Sequence, residues 1–260
     1  TVQDWLKRVR HINLGTLTEF LPHSGLDTVA WLEFLKQSQV VVKVSTQSRL
    51  QSQWQGDIQN LLPALWSHDD NPDFVGRDDW SKLDPEVRRF WGEKVLELYF
   101  RGVLKWQKTN LDFKPETFKF SPHIEKPIAH WHLSRFFIGF DPQFSKSLKL
   151  LYQGYYEQRP LDLREGLIQM NFLGREQDSS TIEGLLASYF GSATDKPSTF
   201  SIDQYRKSFL DLYNYLRLNH RKIPANFVWL GIILAGMCET LQELGVDYQV
   251  REAYRRAVQN

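Results

Sequence analysis

The stretch DPEVRRFWGEKVLELYFRGVLKW, residues 84–106, constrains the fold more than any other part of the chain. Asp84 is an N-cap residue and Pro85 suits the first helical position. Glu86 adds an acid to the first turn, where free N–H groups and the helix dipole favour negative charge. Apolar side chains then return at Val87, Phe90, Trp91, Val95, Leu98, Tyr99 and Val103, a 3.6-residue period that paints one face of a long helix. The same reading predicts helices over 141–156, 161–171, 180–190, 202–219, 225–244 and 246–258, with GSATDKPST as a loop between the third and fourth. A chain of 260 residues with 42% hydrophobic and 14% aromatic content can bury a large core around them.

Ahead of residue 84 the pattern is mixed. A short helix is expected in TVQDWLKRVRHINL from the spacing of Trp5, Leu6, Val9 and Ile12. LDTVAWLEFL (26–35) and VVVKVS (40–45) are β-branched and aromatic runs around KQSQ, which reads as a hairpin. A helix is predicted from Ser48 to about Trp66, with Leu50, Trp54, Ile58, Leu61, Leu62 and Leu65 on one face. SHDDNPDFVGRDDWSK (67–82) is polar and turn-rich, a candidate boundary. A second hairpin is expected within NLDFKPETFKFSPHIEKPIAHWHLS (110–134), where a tight loop precedes two short strands. The fold class is therefore α+β and predominantly helical. It divides into a small N-terminal unit over 1–66, a linker over 67–83 and a helical unit over 84–260.

Composition excludes several functions. Lys plus Arg (32) balance Asp plus Glu (31), so the chain lacks the overall positive field that carries nonspecific nucleic-acid affinity, and no nucleic acid is expected as a partner. The lone cysteine, Cys238, allows neither an internal disulfide nor a multi-cysteine zinc cluster. It suits a reducing compartment, the cytoplasm or an organelle interior. FVWLGIILAGMC (227–238) falls short of the roughly 20 apolar residues that span a bilayer, so it is read as a core helix and no transmembrane segment is expected. The chain opens on Thr1 rather than Met, so a targeting segment upstream is not judged from it.

The chemical motifs are sparse. DDNPD carries Asp69, Asp70 and Asp73 at the spacing by which class I terpene cyclases hold Mg²⁺-diphosphate. Pro72 and the turn-rich surroundings deny it the helix it would need, and it reads as a solvated loop. His130 and His132 alternate on a predicted strand with His123 across the turn, but only Glu125 could complete a zinc set, so they read as polar residues on one sheet face. Nucleophile elbow, dinucleotide fingerprint and phosphate-binding loop are all missing. Trp31, Trp54, Trp66, Trp80, Trp91, Trp106, Trp131 and Trp229 fall on predicted core positions rather than forming a stacking platform.

The order of these elements (hairpin, helix, linker, long helix, loop, second hairpin, helical tail) resembles a protein kinase, with Lys43 in VVVKV where the phosphate-pairing strand lysine would stand. STQSRLQSQWQGDIQNLL after it is similar to the strand-to-helix stretch of the UbiB (AarF-like) atypical kinase family. That family's catalytic loop reads like HADPHPGNFLF. TNLDFKPETFKF can be laid over it, with Asp112 on the catalytic Asp, Pro115 on the second Pro and Thr117 on the metal-binding Asn. IAHWHLSRFFIGFDPQF keeps Phe140, Asp141, Pro142 and Phe144 of the helix start that follows the family's LLDFG, but has Leu133, Ser134 and Arg135 near where DFG would fall. LREGLIQMNFLG and IPANFVWLGIILAGMCETLQELGV are similar to the family's segment ending in GFL and to its late apolar helix.

The resemblance implies a kinase-like large lobe beside a reduced β-hairpin lobe, with Lys43, Asp112 and Thr117 as vestigial nucleotide-site positions. ATP and Mg²⁺ chemistry would be lost with the Asn, the DFG carboxylate, the phosphate loop and the KxGQ segment. It further implies a pseudokinase-like accessory subunit that binds a protein partner or larger complex, in a soluble or membrane-peripheral setting linked to isoprenoid-quinone or lipid metabolism. One alternative is a divergent ATP-dependent enzyme using Lys43 and Asp112 with Asp57 or Glu125. Another is a helical structural subunit of an assembly unrelated to kinases.

Overall fold

Two of the helices begin at an Asp-Pro step whose carboxylate caps them. The computed structural model of the protein describes residues 64–67, 71, 73–106, 108–110, 112–133 and 137–259. Helix α1, Pro85–Leu104, starts with the Asp84 carboxylate accepting the Glu86 N–H at 2.8 Å. Helix α2, Pro142–Tyr156, repeats the device, with Asp141 accepting from Gln143 at 2.9 Å and Phe144 at 3.3 Å. Then follow α3, Pro160–Gln169, α4, Ser180–Phe190, α5, Ile202–Leu218, α6, Ala225–Leu244, and α7, Val250–Gln259. The described chain is predominantly helical, as the periodicity predicted.

The last helix starts later than its expected residue 246. Tyr248 is drawn into a two-way bridge with Ser198, N to O at 3.0 Å in both directions, so its backbone groups are committed outside a helix. The N-terminal helix, the 26–45 hairpin with Lys43, and the predicted helix from Ser48 through Leu62 lie outside the described residues. At the end of that predicted helix the reading needs correction. Trp66 is a strand residue, because its backbone pairs with Ala129 in a sheet.

That sheet is small and mixed. Strand β1, Trp66–Ser67, runs parallel to β4, Ala129–Trp131, which pairs antiparallel with β3, Phe118–Phe120, in the order β1-β4-β3. The expected second hairpin is thus present as β3 and β4. A separate ladder joins β2, Thr109–Asn110, to β5, Phe137–Ile138, and bounds the loop that leads into the hairpin. The inner sheet face is aromatic. Trp131 stacks on Phe118 (5.9 Å, 7°), Phe118 on Phe120 (5.9 Å, 16°) and Phe120 on Trp91 of α1 (5.1 Å, 12°), so one run of stacked rings fastens the sheet to the longest early helix.

The polar stretch before α1 is anchored to the same seam. Trp80, in a 3₁₀ helix over Arg77–Lys82, is buried, stacks on Phe120 at 5.1 Å and donates its indole N–H to the Val75 carbonyl at 3.2 Å. Helices α6 and α7 both pack along α1. Between α1 and α7 the Glu97 carboxylate, almost wholly buried, accepts from Lys94 at 3.0 Å and from Arg256, which also reaches Glu93 at 2.8 Å. A buried carboxylate needs partners of this kind. Within α6, Asn226–Leu244 is long and apolar enough to cross a membrane by length and composition, and 78% of that window is buried inside the protein. Cys238 packs there as a small apolar side chain, its thiol pushed up to about 12 by burial.

Candidate functional site

The loop between β2 and β3 holds Asp112 and Thr117, the two described positions that the sequence offers as a site. It is built backwards from a buried anchor. Phe113 has no solvent exposure and sits against Trp131 (5.0 Å), Phe118 (6.1 Å) and Tyr99 (6.2 Å), which pulls the backbone on either side of it into the fold.

The loop's polar groups then find protein partners. Asp112 donates its N–H to the Asn110 side chain at 2.9 Å, and its carbonyl accepts the Trp131 indole N–H at 3.0 Å. The Phe113 carbonyl accepts the Thr240 hydroxyl of α6 at 2.6 Å. The Thr117 hydroxyl and N–H both donate to the Lys114 carbonyl, at 2.7 and 3.0 Å, closing a single 3₁₀ turn over Pro115–Thr117. The Thr117 carbonyl in turn accepts the His132 N–H at 2.8 Å.

Helix α6 presses on this loop through Gly236. A Cβ there would stand 3.2 Å from the Phe113 carbonyl carbon and 3.3 Å from the Lys114 nitrogen, tighter than ordinary van der Waals contact, so glycine sets the distance of approach. Neither Gly236 nor Thr240 stands out as a site residue in the sequence. The local signal is only a threonine just past the apolar run, and its burial is visible in the structure alone.

Electrostatically the loop faces an acidic rim. Burial raises the Asp112 carboxyl above the ordinary range, and Glu116 adds to the rise. The Lys114 ammonium, the Lys114 backbone N–H and His132 pull it back down. The Asp112 Oδ1 atom is buried without a hydrogen-bond partner. Glu239 on α6 is also raised, by burial first and then by Glu116. Beyond it Glu243 is paired with Arg77 at 2.6 Å.

No protein-family model matches the chain, and no curated protein is significantly similar to it in sequence.

The residues present do not fit the Mg²⁺-nucleotide site that the kinase resemblance implies. Thr117 is only 5% exposed and its hydroxyl proton is committed to Lys114. Ser134 and Arg135, near the expected second carboxylate, lie outside the described residues, as does Lys43. Among the described residues no group of three or more His, Cys, Asp or Glu side chains is arranged to hold a metal ion. The two histidines of the zinc reading, His130 and His132, have ring centroids 6.4 Å apart, and His123 is exposed on the β3–β4 loop. Asp73 is exposed, while Asp69 and Asp70 lie outside the described residues. Trp66, Trp80, Trp91, Trp131 and Trp229 are core residues, as expected.

A buried carboxyl with a raised pKa has a measurable consequence. An aspartate more basic in the folded than in the unfolded chain adds stability while protonated, below the unfolded value of about 3.9, and that contribution is lost as pH rises through the folded value. Asp112→Asn, which keeps an oxygen for the Lys114 N–H, is therefore expected to raise the melting temperature at pH 7 and to give no gain near pH 4. Melting curves of both proteins across that range check it, and an Asn variant less stable at pH 7 would overturn the burial argument.

Proposed function

We propose that the chain is a noncatalytic, kinase-like accessory subunit similar to the UbiB family, which acts by binding a protein partner. The observation that supports this reading is the commitment of the loop over Asp112–Thr117 to its own fold. Its backbone carbonyls accept from Trp131, Thr240 and His132, and the Thr117 hydroxyl, which stands at the metal-binding position of the resemblance, donates to the Lys114 carbonyl. Phosphoryl transfer relies on charge stabilisation by bound cations, and a Thr117 hydroxyl already bonded to Lys114 in place of a metal-binding Asn supports a scaffold without catalysis. A partner would find apolar handholds in the β3–β4 loop, where Ile124 and Ile128 remain exposed. A setting close to membranes or isoprenoid lipids follows from the resemblance alone.

The test is thermal unfolding of the full chain with ATP, in Mg²⁺ and in EDTA. A ligand bound only by the native state raises the midpoint by mass action, by about 2.7 kcal/mol at a hundred times its Kd. The expected result is no Mg²⁺-dependent shift. A Mg²⁺-dependent shift that disappears in Lys43→Ala or Asp112→Ala would replace this reading with a divergent ATP-dependent enzyme.

A further inference from the structure

A cavity of about 290 Å³ opens between the C-terminal end of α1, one face of α2 and the outer turns of α7. Its walls come from helical spacing. Lys149 and Gln153, four residues apart on α2, continue to Glu157 at that helix's C-cap, and Tyr254 and Val258 stand four apart on α7. Leu104 and Lys105, at the end of α1, complete the lining.

The charges in it are unequal. Glu157 is engaged, with Arg159 at 2.8 Å and the Tyr254 hydroxyl at 3.5 Å. Lys105 and Lys149 form no ion pair among the described residues, so two ammonium groups share the cavity with one carboxylate, Glu157, that is already engaged. Burial and the neighbouring Arg101 guanidinium hold Lys105 below its ordinary range, a penalty that an anion beside it would relieve. Leu104, Val258 and the Tyr254 ring supply an apolar wall next to these cations.

We propose that this cavity binds a small organic phosphate monoester. Two flexible ammonium groups match a dianionic head, the Gln153 side chain can hydrogen-bond its oxygens, and the apolar wall takes a short carbon body. The volume lies at the small end of ligand pockets and suits a small anionic head. This site is separate from the Asp112 loop and does not depend on the accessory-subunit reading.

Phenyl phosphate is the probe, titrated calorimetrically into the full chain at low salt, with inorganic sulfate as the comparison anion. The expected result is binding of one phenyl phosphate per chain without Mg²⁺, weakened about tenfold by Lys105→Gln and again by Lys149→Gln, as loss of a charge-assisted hydrogen bond predicts. Gln153→Glu, which sets a carboxylate in the cavity, is expected to abolish binding, and Lys196→Gln, an exposed lysine in another loop, to leave it unchanged. Melting temperatures confirm that each variant is folded. Absent binding, affinity indifferent to Lys105 and Lys149, or sulfate binding as tightly as phenyl phosphate would each overturn the proposal. Should ATP stabilise the chain, a Mg²⁺-independent effect lost in Lys149→Gln belongs to this cavity, and a Mg²⁺-dependent one lost in Asp112→Ala to the loop.

Discussion

Trp91→Ala is expected to lower the unfolding free energy by about 3–5 kcal/mol, the cost of deleting a large buried aromatic side chain. Trp91 has no solvent exposure. It stacks on Phe120, meets Trp66 edge-on at 6.2 Å and donates its indole N–H to the Ser121 carbonyl at 2.8 Å. It is therefore where α1, the three-stranded sheet and the start of the β3–β4 loop are joined, and neighbours from three elements cannot all collapse into the space it leaves. Trp91→Phe keeps a ring against Phe120 but loses the bond to Ser121, and is expected to cost less, about 1–3 kcal/mol. Urea unfolding gives both values, with an unchanged m-value showing that stability alone has moved. A loss below about 1 kcal/mol for the alanine variant would mean that the aromatic seam does not join sheet to helix.

Two glycine-to-alanine substitutions are expected to have opposite signs. At Gly154 in α2 an added Cβ would lie 2.1 Å from the backbone nitrogen and 2.5 Å from the Cα of Leu163 in α3. No rotamer change relieves a clash with backbone, so α2 and α3 must part. Across the same contact, a Cβ on Gly166 would lie 2.7 Å from the Leu151 nitrogen, which leaves little room to slide. Gly154→Ala is expected to cost about 3 kcal/mol, the upper part of the overpacking range. At Gly184 in α4 a Cβ meets nothing within 4 Å, so Gly184→Ala gains helix propensity and is expected to stabilise by about 0.5–1 kcal/mol. Measuring both by urea unfolding separates the helical penalty of glycine from its use in close packing. Equal effects at the two positions would show that α2 and α3 do not pack backbone to backbone.

Much of the helical layout was legible in the sequence. The starts of α1 and α2 follow from Asp84-Pro85 and Asp141-Pro142, whose side chains bond the N–H groups of the next turn, and their courses follow from the apolar period. These interactions span two to four residues, so a short window of sequence contains them. The second hairpin was readable for a similar reason, since strands β3 and β4 alternate FKF and AHW around a turn-rich loop.

The site was legible only as residue names. Asp112 and Thr117 could be picked from a pattern, but whether they face a ligand or the protein depends on Trp131, His132 and Thr240, the last of which reaches the loop across 127 residues. The two-residue strands β1, β2 and β5 are too short to show any period, which is why Trp66 read as the end of a helix and the pairing of Thr109–Asn110 with Phe137–Ile138 went unseen. The cavity between α1, α2 and α7 is the extreme case. Lys105, Lys149 and Tyr254 are individually ordinary surface residues, brought together because α1, α2 and α7 pack around common aromatic rings, Phe100, Tyr156 and Tyr254.

The sequence by itself determined most of the helices and the caps at Asp84 and Asp141, because local hydrogen bonds and amphipathic faces act over a few residues. Tertiary structure alone decided which polar groups the fold consumes and which it leaves for a ligand, because burial and pairing are properties of segments that meet only when the chain has folded.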